Sequence, residues 1–133
     1  MKKTILWTIV AMLMLPLAVS AQAEQVEYQK YTGKIGPYAI TMFLTLEGGE
    51  GCAPGGYYYY DDRPKTQFTL NMMEFVAINA KGSMHVVLNE YSPKGNHTGT
   101  FDGQLETRGS GFSGTFTNSQ GKKFHFELME AYE

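Results

Sequence analysis

The chain has 133 residues, 43% of them hydrophobic and 14% aromatic, with 13 acidic side chains against 11 basic ones. That length has room for one core and not two. A mildly acidic balance, with no cluster of Lys or Arg interleaved with aromatics, repels phosphate backbones, so nucleic acid is not expected as a partner.

The first 23 residues have the three regions of a cleavable export signal: a basic start at Lys2 and Lys3, an apolar run from Ile5 to Val19, and small residues at Val19-Ser20-Ala21 and Ala21-Gln22-Ala23. Cleavage is expected after Ala21 or Ala23, with Ala23 preferred. The apolar run of about fifteen residues falls short of the roughly twenty that span a bilayer, and Pro16 weakens it further as a membrane helix. No later stretch is longer, so no stable membrane span is expected after cleavage, and the product is expected in the periplasm or secreted. Residues 24–133 then form a single domain, and loss of the two lysines takes its formal charge from -2 to -4.

Past the signal, short alternating segments separated by turn residues about every ten positions predict an antiparallel β structure. Segments are expected at 26–34, 38–46, 57–60, 67–72, 74–80, 83–91, 97–106, 111–117 and 122–131. In the second, Ile40, Met42, Leu44 and Leu46 form the core face. Met84, Val86 and Leu88 do the same later in the chain, as do Phe101, Phe112, Phe116, Phe124, Phe126 and Leu128. Residues 107–110 and 118–121 supply hairpin turns, each with a glycine. Gly99-Thr100-Phe101 recurs as Gly114-Thr115-Phe116, and a glycine inside a strand marks a bend or bulge. Bent short strands favour a small up-and-down barrel of about eight strands, with a β-sandwich as the alternative.

Tyr31-Thr32-Gly33-Lys34-Ile35-Gly36, Ile40-Thr41-Met42, Gly56-Tyr57-Tyr58-Tyr59-Tyr60, Leu88-Asn89-Glu90, Thr98-Gly99-Thr100-Phe101 and Gly114-Thr115-Phe116 follow one another along the chain. In that order they resemble small exported bacterial β domains without an assigned activity. The resemblance covers nearly the whole mature chain and implies a periplasmic or surface module. It implies no catalytic residue.

The chain has only one cysteine, Cys52, so no intramolecular disulfide can form. Cys52 lies in a glycine-rich loop beside Glu47 and Glu50, carboxylates that raise a thiol's pKa and disfavour a nucleophile. Two readings remain for it, an idle loop thiol and a bridge between two chains in a dimer.

Tyr57 to Tyr60 put rings on both faces of a strand, Tyr57 and Tyr59 on one side, Tyr58 and Tyr60 on the other. One pair is expected to fill the barrel and the other to cover its outside. Tyr58 and Tyr60, with the neighbouring Asp61, Asp62 and Arg63, are the candidate contact surface, because tyrosine offers rigid area with a polar rim.

Chemistry-bearing residues are sparse. His85 and His125 alternate with apolar neighbours and should face outward, and His97 starts a strand; no pair has the short spacing of a metal site, and no cofactor motif occurs. Counting by two from Met84 places Glu90 on the apolar face at a strand end. It must then find a tyrosine, an arginine or backbone amides, or else hold its proton. Glu90 reads as a plug at the barrel mouth, or else as a catalytic acid with Asp61, Asp62 or Asp102 as a second carboxylate. Ser83, Ser110 and Ser113 lack a nucleophile-elbow setting, and the sequon Asn96-His97-Thr98 carries little weight behind a bacterial-type signal.

The expected function is a non-enzymatic exported binding module, inhibitor-like or protein-interacting, whose partner is an envelope protein or glycan. Small exported barrels that block lysozyme offer a fold-level analogy of similar size. The alternative is a carrier of a small lipid or sugar, against which the many large core residues argue, and a hydrolase ranks below both.

Overall fold

A computed structural model describes residues 27–46, 54–106 and 110–132. Eight strands form a closed antiparallel barrel in simple chain order: β1 (Gln29–Ile35), β2 (Tyr38–Thr45), β3 (Gly55–Tyr60), β4 (Phe68–Ala77), β5 (Met84–Tyr91), β6 (His97–Leu105), β7 (Gly111–Asn118) and β8 (Lys123–Glu130). β1 pairs with β2 on one side and with β8 on the other, Gly33 opposite both Ile40 and Leu128, so no sheet edge is left open. The up-and-down barrel expected from the segment spacing is therefore the fold, and the sandwich is not. Residues 1–23, expected to be an export signal, and Cys52 lie outside the described residues.

Alternation decides what goes inside. Ile40, Met42, Leu44, Leu70, Val86, Leu88, Phe101, Phe112, Phe126 and Leu128 are all buried, while Lys34, Glu74, Asp102, Thr115 and Glu127 face out. Apolar inside and charged outside is the reverse of a barrel whose outer face meets lipid. Among the described residues no helix is long and apolar enough to cross a membrane.

Nine expected segments become eight strands because 67–72 and 74–80 are one. β4 carries a bulge between Met72 and Glu74. One extra residue there puts Phe75 rather than Glu74 opposite buried Val86, and Phe75 itself stays 40% exposed. The broken alternation mimics a strand boundary in the sequence.

An eight-stranded interior is just wide enough for side chains to fill, and aromatic rings fill this one. Phe101 touches Tyr58, Phe116 and Phe126 at centroid separations of 5.3, 4.7 and 5.1 Å. The rings fit because glycines lie under them: a Cβ on Gly99 would meet the Phe116 ring at 2.4 Å, and one on Gly103 the Phe126 ring at 2.7 Å. Of the two glycines in the repeated Gly-Thr-Phe element, Gly99 thus lies under a ring, while a Cβ on Gly114 would meet the Asp102 carbonyl oxygen at 2.2 Å. Phe101 is 0% exposed, so Phe101→Ala should cost roughly 3–5 kcal/mol in urea unfolding. Thr115→Ala, on the outer face, should stay within about 0.5 kcal/mol; equal losses would mean that the interior is not the stabilising core.

Candidate functional site

The hairpins after β1, β3, β5 and β7 lie together at one end of the barrel, and there the filled interior gives way to a pocket of about 200 Å3. Ile35, Tyr38, Tyr60, Phe68, Phe116 and Phe124 supply its apolar lining, and Glu90, Thr98 and Asn118 its polar groups.

Glu90 is 3% exposed. Its Oε2 accepts a hydrogen bond from the Tyr58 hydroxyl, which crosses the barrel from β3, and its Oε1 accepts one from Thr98 at 2.6 Å. Thr98 reaches it because a bulge slips the β5–β6 register, pairing Glu90 with Gly99 but Tyr91 with His97 and re-aiming the unpaired Thr98 side chain. Gly99 makes room opposite: a Cβ there would lie 3.1 Å from Glu90 Oε1. A tyrosine was among the partners expected for this carboxylate, and a tyrosine meets it.

Burial raises the Glu90 pKa above its ordinary value, against the opposing pull of the Thr98 and Tyr58 hydrogen bonds and the charge of His97. Burial, with the Glu90 charge next, pushes the Tyr58 phenol far above its usual range, so Tyr58 keeps its proton and acts as donor. Asn118 closes the rim, its Oδ1 accepting from the backbone N–H groups of Gln120 and Lys122 at 2.9 Å each. What it can offer an occupant is its amide NH2.

The candidate contact surface is corrected by this geometry. Tyr58 is 0% exposed and lies inside, stacked on Phe68. Tyr60 also points inward but sits at the mouth, edge-on to Tyr38 at 6.2 Å. The outward pair is Tyr57 and Tyr59, where Tyr57 stacks on Phe43 at 4.9 Å and meets Tyr28 edge-on. Asp61, Asp62 and Arg63 remain exposed on the mouth loop after β3. Arg63 lies 3.5 Å from Asp62 and 5.3 Å from the centre of the Tyr60 ring.

No second carboxylate joins Glu90 in the pocket lining. Asp61 accepts a hydrogen bond from Thr41 on the outer side at 2.7 Å, and Asp102 lies on the outside of β6. Neither of these two carboxylates therefore pairs with Glu90.

His85 faces outward, as expected, and sequence reasoning missed its partners. Its Nδ1 meets Glu74 on β4 and its Nε2 meets Asp102 on β6 at 2.7 Å, so one imidazole ties three adjacent strands. The β4 bulge hid the Glu74 register in the sequence. His97 bonds Thr100 at 3.2 Å, and His125 lies 3.9 Å from Glu127. No group of three metal-ligating side chains forms among the described residues.

None of the comparisons with family models, curated proteins or solved structures finds a match to this chain. The mouth pocket itself is therefore the basis for a functional reading.

Both titrations can be measured. A carboxyl whose folded pKa lies above its unfolded value binds more protons when folded, so its contribution is best below the ordinary 4.5 and declines as pH rises through the folded value. Relative to Glu90→Gln, the wild type should lose urea stability between about pH 4 and pH 7; a constant difference would show that Glu90 does not titrate from a raised value. For His85, hydrogen bonding to Asp102 and then to Glu74 outweighs burial and raises the imidazole above 6.5. Its support is complete below 6.5 and fades as pH rises through the folded value. An NMR titration should place the His85 midpoint above 6.5, and Asp102→Asn should lower it.

Proposed function

We propose that this chain is an exported, non-enzymatic binding module of the bacterial envelope, and that its site is the barrel mouth. The observation carrying the reading is the convergence of aromatic walls on a buried, hydrogen-bonded carboxylate where the filled interior opens at the mouth. Concave, mostly apolar sites with a few placed polar groups are where proteins bind ligands. The outer row of Tyr28, Tyr57 and Phe43 is convex, and its rings already pack on one another.

A filled interior argues against a deep carrier of lipid, because an acyl chain needs a length of cavity that Tyr58, Phe101 and Phe126 occupy. Among the described residues no second carboxylate lines the pocket, which argues against a two-carboxylate hydrolase. Export rests on the basic, apolar and small-residue regions of the first 23 residues.

The test is retention of an envelope component, protein or glycan, by immobilised protein. Tyr60→Ala and Tyr38→Ala should each reduce retention about tenfold, the effect of losing roughly 1.4 kcal/mol of contact. Thr115→Ala should leave it unchanged. Equal retention by all four proteins would remove the mouth as the site.

A further inference from the structure

The mouth end has a charge of its own. Its four hairpin loops, residues 36–37, 61–67, 92–96 and 119–122, hold Arg63, Lys65, Lys94 and Lys122 against only Asp61 and Asp62. Lys34 and Lys123 stand at the adjoining strand ends. This basic collar belongs to a chain whose formal charge is -2. Two of the collar cations are held against rings that line the pocket: Arg63 at 5.3 Å from the centre of Tyr60 and the Lys122 ammonium at 5.1 Å from the centre of Phe124.

Floor and rim therefore select for different chemistry. At the floor, Glu90 accepts hydrogen bonds, one of them from Thr98, and repels an anion, while Asn118 adds a further polar partner at the rim. At the rim, positive charge attracts an anion and repels a cation. An aspartate or glutamate side chain reaching the floor would meet the Glu90 carboxylate, and a lysine side chain would have to pass the collar. A neutral hydroxylated body with an anionic group at its edge satisfies both, and the flat aromatic walls suit a ring face. The volume sets the length: about 200 Å3 is the share of six or seven waters at roughly 30 Å3 each. It is smaller than the roughly 300–1,000 Å3 that hold drug-sized ligands.

Resting on the mouth being the binding site, we infer that the pocket takes one sugar ring bearing a carboxylate, an acidic saccharide unit of an envelope glycan. The ring lies between Tyr60 and Phe124, its hydroxyls donate to Glu90, and its carboxylate projects to Arg63 and Lys122.

Sodium D-glucuronate, D-glucose and sodium acetate, titrated separately into 15N-labelled protein, test this. Glucuronate should give saturable amide shifts confined to the mouth, around Tyr60, Glu90, Asn118 and Phe124, and should bind about tenfold more tightly than glucose. Raising the salt to about 0.5 M should weaken glucuronate and leave glucose unchanged. The double replacement Arg63→Ala with Lys122→Ala, both on the exposed rim, should bring glucuronate down to the glucose level, whereas Arg63→Lys should retain most of the preference. Equal binding of glucose and glucuronate overturns the inference, as does acetate binding as tightly as glucuronate, or no saturable shift up to about 50 mM. If any of these occurs while Tyr60→Ala still reduces retention of an envelope component about tenfold, only the acidic-saccharide inference falls. If retention also survives that replacement, the mouth falls with it.

Discussion

The limited width of an eight-stranded barrel governs this structure. Eight strands enclose little more than the volume of their own inward side chains, and five of the fully buried side chains are tyrosine or phenylalanine rings, Tyr31, Tyr58, Phe101, Phe112 and Phe126. Rings of that size fit only where the facing wall retreats, which is why Gly99 and Gly103 lie under Phe116 and Phe126. With the middle filled by ring contacts, nothing can be held deep inside. Among the described residues, space opens at the mouth, where the strands end.

The polar group at that mouth is held by the same packing. Glu90 would be an expensive burial by itself, yet Tyr58 spans the interior to reach it and a bulge turns Thr98 towards it. Both bonds are donated by hydroxyls, which suits a carboxylate that accepts. A side chain that is costly to bury is thus fixed in one orientation by neighbours on two other strands, β3 and β6.

Much of the fold was legible in the sequence, because period-two alternation and spaced turn residues report directly on which face is wet. Ile40, Met42 and Leu44, or Phe124 and Phe126, could be assigned by counting. Counting failed where the period slips, at Met73, since an inserted residue looks like a break between strands. It also failed for Tyr57 to Tyr60: when every position is tyrosine, alternation separates the two pairs but gives no sign of which is inside. Glu90 could be placed by parity, and its need for a tyrosine followed from electrostatics. The pocket could not be seen, because its lining comes from strand ends between Ile35 and Phe124 that only barrel closure brings together. The basic collar was hidden similarly, its four cations spread thinly over 60 residues of an acidic chain.

Closure of β1 onto β8 also fixes how the barrel can be held. β1 starts and β8 ends at the rim opposite the pocket, where Ala131 donates its backbone N–H to Lys30. A linkage through the start of β1 or the end of β8 therefore leaves the mouth directed away from the point of attachment. Anything fastened to those ends, whether a support, a neighbouring module or a surface, acts as a stalk with the pocket at its tip.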